Sequence, residues 1–192
     1  MVVGLTGKYC AGKDLVARIF ESHGYSVIDV DALGHEVLAA MTERVVAVFG
    51  RAVAADDGDV DRKALGRIVF GNPSAMARLE SILHPSMVRR VKELIAERGG
   101  DIVVNAAILH HMGLDALCGA VLCVCAPLLV RLIRAMRRDR LPLRDALSRI
   151  RSQNGVCPQL NDPAVDTYTV RNRGSARSLE RRVARLALRL RG

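Results

Sequence analysis

An α/β fold, a parallel sheet with helices on both faces, is what this chain of 192 residues predicts. Two observations carry that expectation. Short apolar runs with the β-branched character of buried parallel strands alternate with helical patterns, and a glycine-rich turn directly follows the first run.

The first strand reads Val2-Val3-Gly4-Leu5-Thr6, and Gly7-Lys8-Tyr9-Cys10-Ala11-Gly12-Lys13 after it has the form GxxxxGK. Leu15, Val16, Ile19 and Phe20 then recur on one side of a helix. Strand, turn and helix in this order make a phosphate-binding P-loop. Its backbone N–H groups and the helix N-terminus surround the phosphates, and its lysine, here Lys13, reaches the β and γ groups. Gly7, Tyr9, Cys10, Ala11, Gly12, Lys13 and Asp14 are therefore candidate nucleotide-binding residues. Asp14 stands where the motif wants a Ser or Thr hydroxyl for Mg²⁺; a helix N-terminus favours an anion, so Asp14 is the candidate metal ligand. Cys10, in an electropositive loop, is expected to have a lowered thiol pKa, and a positive φ there would strain it by about 1 kcal/mol.

The helix ends near His23-Gly24, a natural C-cap, and Tyr25 to Asp31 reads as the second strand. Alternation along that strand sends Asp29 and Asp31 to one side, and ligands in open α/β sheets bind outside the carboxyl ends of the strands. One carboxylate then accepts a proton while its neighbour positions it or joins a metal shell. Residues 33–98 read as helices interrupted at Gly50, at Asp56-Asp57-Gly58-Asp59, at Gly71-Asn72-Pro73 and at His84-Pro85. Asp101 to Ala107, Ala120 to Ala126 and Tyr168-Thr169-Val170 supply the remaining strands. A helix–turn–helix carries arginines from Arg131 to Arg151, with Arg131, Arg134 and Arg138 on one face. Leu179, Val183, Leu186 and Leu190 mark a last helix whose arginines face solvent.

Lys and Arg number 29 against 20 Asp and Glu, a net charge of +9, which implies an anionic partner. Three Phe, three Tyr and no Trp leave little for stacking bases, so a phosphorylated metabolite fits better than nucleic acid. No long uncharged apolar run suggests a membrane span, and residues 1–6 lead straight into the loop, so a cytoplasmic protein is expected. The five cysteines are an odd count without zinc spacing and are expected as free thiols.

Together these motifs resemble the dephospho-coenzyme A kinases over most of the chain. The likeness rests on Val3-Gly4-Leu5-Thr6-Gly7 with its GK, Ile28-Asp29-Val30-Asp31, Asp61 to Phe70, Ile82-Leu83-His84-Pro85, Arg134 to Asp139 and Asn172-Arg173-Gly174, in that family's order. The resemblance implies a P-loop NTPase-type three-layer fold in one kinase unit. Residues 1–32 and 99–192 would form the nucleotide-binding core, with a lid at about 134–165, and residues 33–98 a helical acceptor-binding insertion. It implies transfer of the ATP γ-phosphate to the ribose 3′-hydroxyl of dephospho-coenzyme A with Mg²⁺. Asp31 matches the catalytic base, Lys13 and Arg138 the groups that stabilise the transferring phosphate, Asn172 a residue beside the adenine, and Arg62 and His84 the acceptor site.

The sequence departs from the family where Lys8, Cys10, Ala11 and Asp14 replace a Gly, a Gly, a Ser and the closing Ser of the usual loop. Ala107-Ile108-Leu109-His110-His111 stands for Pro-Leu-Leu-Phe-Glu, and residues 161–165 for a basic lid run. Two alternatives to the kinase reading stay open: a nucleotide-binding protein of the same fold with lost or altered catalysis, and a P-loop kinase for another small metabolite.

Overall fold

A computed structural model of the chain describes residues 1–152, 165–173 and 175–191. In chain order it contains β1 (Val2–Gly7), α1 (Lys13–Ser22), β2 (Ser26–Asp29), α2 (Val30–Ala40), α3 (Thr42–Phe49), α4 (Arg62–Val69) and α5 (Pro73–Arg98). There follow β3 (Ile102–Asn105), β4 (Ala120–Cys125), α6 (Leu128–Asp139), α7 (Leu143–Ser152), β5 (Asp166–Arg171) and α8 (Ala176–Leu190). The expectations for Gln153, Cys157, residues 161–164 and Gly174 lie outside the described residues.

The five strands form one sheet in the order β2-β3-β1-β4-β5, with every pairing parallel. Central strands of such a sheet are covered on both faces, which is why β1, β3 and β4 are nearly continuous apolar runs. Edge strand β5 buries only Val170, so its polar ends hid its full length from the hydrophobic pattern. On one face Val3, Leu5, Leu122 and Val124 pack with Val16 and Phe20 of α1 and with Leu179, Val183 and Ala187 of α8. The Tyr25 hydroxyl donates to the Ala187 carbonyl at 3.0 Å, pinning α8 to the start of β2. On the opposite face a Cβ at Gly4 would lie 2.7 Å from Leu109 and 3.0 Å from Cys118. The β3–β4 connection, including a 3₁₀ turn at Leu114–Leu117, therefore seals that side.

Residues 1–29 and 94–192 form one compact unit and Val30–Glu93 a second. The second has its own core of Leu38, Val45, Val53, Val60, Leu65, Val69, Ala75 and Ile82. Two local expectations are corrected. The second strand stops at Asp29, opposite Asn105, the last residue of its partner β3; Val30 and Asp31 already belong to α2. Without a ladder partner, the spacing of buried Val30, Leu33 and Val37 takes over and turns the chain helical. His84-Pro85 does not interrupt a helix either: Pro85 lies inside α5, which Ile82, Met87 and Val91 bury on either side of it. That burial outweighs the hydrogen bond a proline removes.

Gly7 ends β1 against β4, where an added Cβ would stand 2.8 Å from the Val124 carbonyl oxygen and 3.0 Å from its Cβ. Backbone cannot step aside as a flexible side chain can. Gly7→Ala is expected to lower stability by about 1–3 kcal/mol through overpacking. Urea unfolding would register this as a lower midpoint at unchanged slope; an unmoved midpoint contradicts the close approach.

Candidate active site

The P-loop leaves the carboxyl end of β1, the middle strand, with β3 and β4 on either side. Gly12 precedes α1 with φ 98°, a left-handed angle that glycine adopts without cost. A side chain there is excluded twice, since a Cβ would also lie 2.5 Å from Asn172 Nδ2. Lys13 opens α1, so the lysine and the helix N-terminus share one end of the element. Its Nζ donates to Asn105 Oδ1 at 2.8 Å, and Asn105 is 3% exposed at the carboxyl end of β3. Thr6 Oγ1 donates to the Ala107 carbonyl at 3.0 Å and joins the same two strand ends.

The loop carbonyls are satisfied from outside by side chains far along the chain. Arg131 Nε donates to Tyr9 O at 2.8 Å. Arg134 Nη1 donates to Ala11 O at 3.2 Å and to Cys10 O at 3.4 Å. Asn172 Nδ2 donates to Ala11 O at 2.9 Å, while its Oδ1 accepts from Arg134 Nη2 at 3.3 Å. Tyr9 O–H donates to Asp139 Oδ2, and the Arg138 guanidinium stands 5.3 Å from the centre of the Tyr9 ring. The helical face of Arg131, Arg134 and Arg138 thus meets the P-loop.

Electrostatics follow from this packing. Arg131 is 4% exposed, and burial lowers its pKa. Its Nη2 has no hydrogen-bond partner among the described residues. The Arg138 bond, and after it the Tyr9 bond, holds the Asp139 carboxyl below its ordinary range. For Cys10 the expected lowering is corrected: burial pushes its thiol up and outweighs the opposing charge of Arg138. Cys10 does take a left-handed φ of 58°, so a side-chain-bearing residue holds an angle favoured by glycine. Cys10, Cys118 and Cys125 are free thiols.

Of the remaining candidates, Asp14 is exposed in the first turn of α1. Asp29 is exposed at the end of β2, and Asp31 is exposed in the first turn of α2 rather than on the same strand face. Arg62 begins α4, where the Asp61 carboxylate caps the helix by accepting from Lys63 N at 2.9 Å and Ala64 N at 3.1 Å. His84 lies within α5, not at a helix start. Arg62, His84 and Asp31 all belong to the Val30–Glu93 unit. His110, one of the paired histidines, meets Asp115 Oδ2 at 2.9 Å.

Sequence reasoning passed over Asn105 and left Asp139 without a role. The signal for Asn105 was a lone polar residue closing the run Ile102-Val103-Val104 at a strand's carboxyl end. Asp139 had no local signal, because its partner Tyr9 is 130 residues away.

A family model described as CoaE, dephospho-CoA kinase, matches residues 1–177. The dephospho-CoA kinase of Moorella thermoacetica is 38% identical over 164 residues, covering 79% of this chain and 76% of that protein. That of Geobacter metallireducens is 35% identical over 193 residues, covering 97% and 94%. Among solved structures, TT1252 from Thermus thermophilus superimposes with a TM-score of 0.83 at 31% identity, covering 100% of this chain and 98% of that one. With its P-loop, parallel sheet and full-length likeness, the chain belongs to the dephospho-CoA kinase family of ATP-dependent kinases.

Proposed function

We propose that this chain transfers the γ-phosphoryl group of ATP to the ribose 3′-hydroxyl of dephospho-coenzyme A, forming coenzyme A and ADP in the cytoplasm. The carrying observation is the convergence of Lys13, Arg134, Arg138 and Asn172 on one glycine-flanked loop at the N-terminus of α1. Such a loop binds polyphosphate. The cations then stabilise the charge that spreads over the transferring group in a loose transition state. Asp31 takes the proton from the 3′-hydroxyl as the new P–O bond forms and the bond to the β-phosphate oxygen breaks. Asn172 borders the adenine, and Arg62 and His84 contribute to the acceptor site.

Mg²⁺ fits the donor set through Asp14. Among the described residues no group of three or more His, Cys, Asp and Glu is arranged to hold a metal. Mg²⁺ in phosphoryl-transfer enzymes is held by one or two carboxylates together with the substrate's phosphates, so a single carboxylate at the loop suffices. When bound, the ion supplies positive charge that neutralises the phosphate oxygens.

Mass-spectrometric detection of coenzyme A from ATP, Mg²⁺ and dephospho-coenzyme A tests the activity, with Lys13→Ala as the inactive control. Product from the wild type alone supports the reading, whereas nucleotide binding without product favours the fold with lost catalysis or another acceptor. Asp31→Asn is expected to lower kcat by about 10²–10⁴ while nucleotide affinity stays within about twofold. Equal losses in both would assign Asp31 to binding instead. Asp14→Ser should keep activity but move its Mg²⁺ optimum and the Mg²⁺ dependence of ATP affinity. Identical Mg²⁺ titrations of wild type and variant would remove Asp14 from the metal site.

A further inference from the structure

One helix grips Tyr9 at both ends. Arg131, in the first turn of α6, donates to its carbonyl oxygen at 2.8 Å, and Asp139, the last residue of α6, accepts from its hydroxyl. Arg138 is enclosed by the same pair. Its Nε and Nη2 donate to the two oxygens of Asp139 at 2.8 and 3.3 Å, and its guanidinium lies over the Tyr9 ring.

Consecutive residues on a helix do not face one another, so the Arg138–Asp139 pair does not follow from helical geometry. It requires both side chains to turn toward a third group, and Tyr9 is that group, ring toward the cation and hydroxyl toward the carboxylate. The restraint matters because 55% of the Arg138 side chain is exposed. An exposed arginine otherwise keeps its rotamer freedom, which has to be given up before it can meet a phosphate.

We propose that Tyr9 is a positioning residue that, through Asp139, holds Arg138 beside the P-loop in advance of phosphoryl transfer. The proposal rests on the reading of Arg138 as a phosphate-stabilising arginine. Tyr9 belongs to the P-loop and Arg138 to α6, so the contact ties the arginine to the loop. Preorganisation of this kind acts on the chemical step more than on ground-state nucleotide binding.

Tyr9→Phe keeps the ring and removes only the hydroxyl. It is expected to lower kcat for coenzyme A formation about tenfold while KM for ATP and the thermal midpoint stay near wild type. Asp139→Asn should behave alike, and the double variant should be no worse than the poorer single, because both changes break one path. In an Arg138→Ala background Tyr9→Phe should have no further effect. Independently of turnover, phenylglyoxal should modify Arg138, mapped by peptide mass spectrometry, at least threefold faster in Tyr9→Phe, with the rate at Arg137 unchanged. Equal modification rates, an unchanged kcat, or a kcat loss that persists in the Arg138→Ala background would each overturn the proposal. Failure of the wild type to form coenzyme A would count against the kinase reading alone, since the modification rates answer for the contact without turnover.

Discussion

A chain that wraps its backbone around a phosphate has to satisfy the carbonyl oxygens it turns outward, and much of this unit is arranged around that demand. Tyr9 O, Cys10 O and Ala11 O lie in no helix or strand, so no ladder supplies their donors. An unpaired buried carbonyl costs about 1–3 kcal/mol, and three in succession would take a large share of the roughly 5–15 kcal/mol that holds a domain folded. Arg131 and Arg134, one helical turn apart on α6, and Asn172, just past β5, provide the donors. Asn172 is itself fixed by backbone, its N–H donating to the Cys125 carbonyl at 2.7 Å. The far strands and helices of the sheet are thus part of the loop's structure, although more than 100 residues separate them from it.

This arrangement concentrates cost where the chemistry is expected. Cys10 sits at a left-handed angle, and Arg131 keeps a guanidinium almost wholly buried with one nitrogen unpartnered among the described residues. Each is unfavourable alone, and such features persist only when the surroundings over-determine them. Here the surroundings are the Arg131–Tyr9 and Arg134–Ala11 hydrogen bonds, which hold the two residues on either side of the strained angle. The stability given up is offset by the core beneath the loop, where Val3, Leu5, Phe20, Leu122 and Val183 pack together with Ala11 of the loop itself.

How legible the chain was depended on the range of the interactions that decide each residue. The β1–loop–α1 unit reads from the sequence because its signals, an apolar run, two glycines and a helical stripe, are local. Asp31 was misplaced onto a strand because the length of β2 is set by β3, whose ladder ends at Asn105. Pro85 looked like a break because the hydrophobic contacts that keep α5 intact are not adjacent in sequence. The Cys10 thiol was misjudged from the charge around it, since burial, which a sequence does not display, is the larger effect. Within the site, the arginine face of α6 was legible as a face. Its target was not, because a helical stripe does not say which loop it meets.

The contact between Lys13 and Asn105 bears on how such a loop stays ready for its ligand. A carboxylate at the end of β3 would pair with the lysine as an ion pair in a part-buried setting, and separating such charges is costly. An amide instead offers a charge–dipole hydrogen bond worth about 1.5–3 kcal/mol, enough to hold the ammonium at the strand end. It places no negative charge of its own beside the lysine. The loop's own carboxylate, Asp14, is exposed to solvent in the first turn of α1, where the helix N-terminus stabilises it and where a divalent cation can reach it. Neutral amide within and carboxylate at the surface thus differ in setting: the first holds the ammonium at the strand end, and the second, in the proposed reading, is the group that meets a metal arriving with the nucleotide.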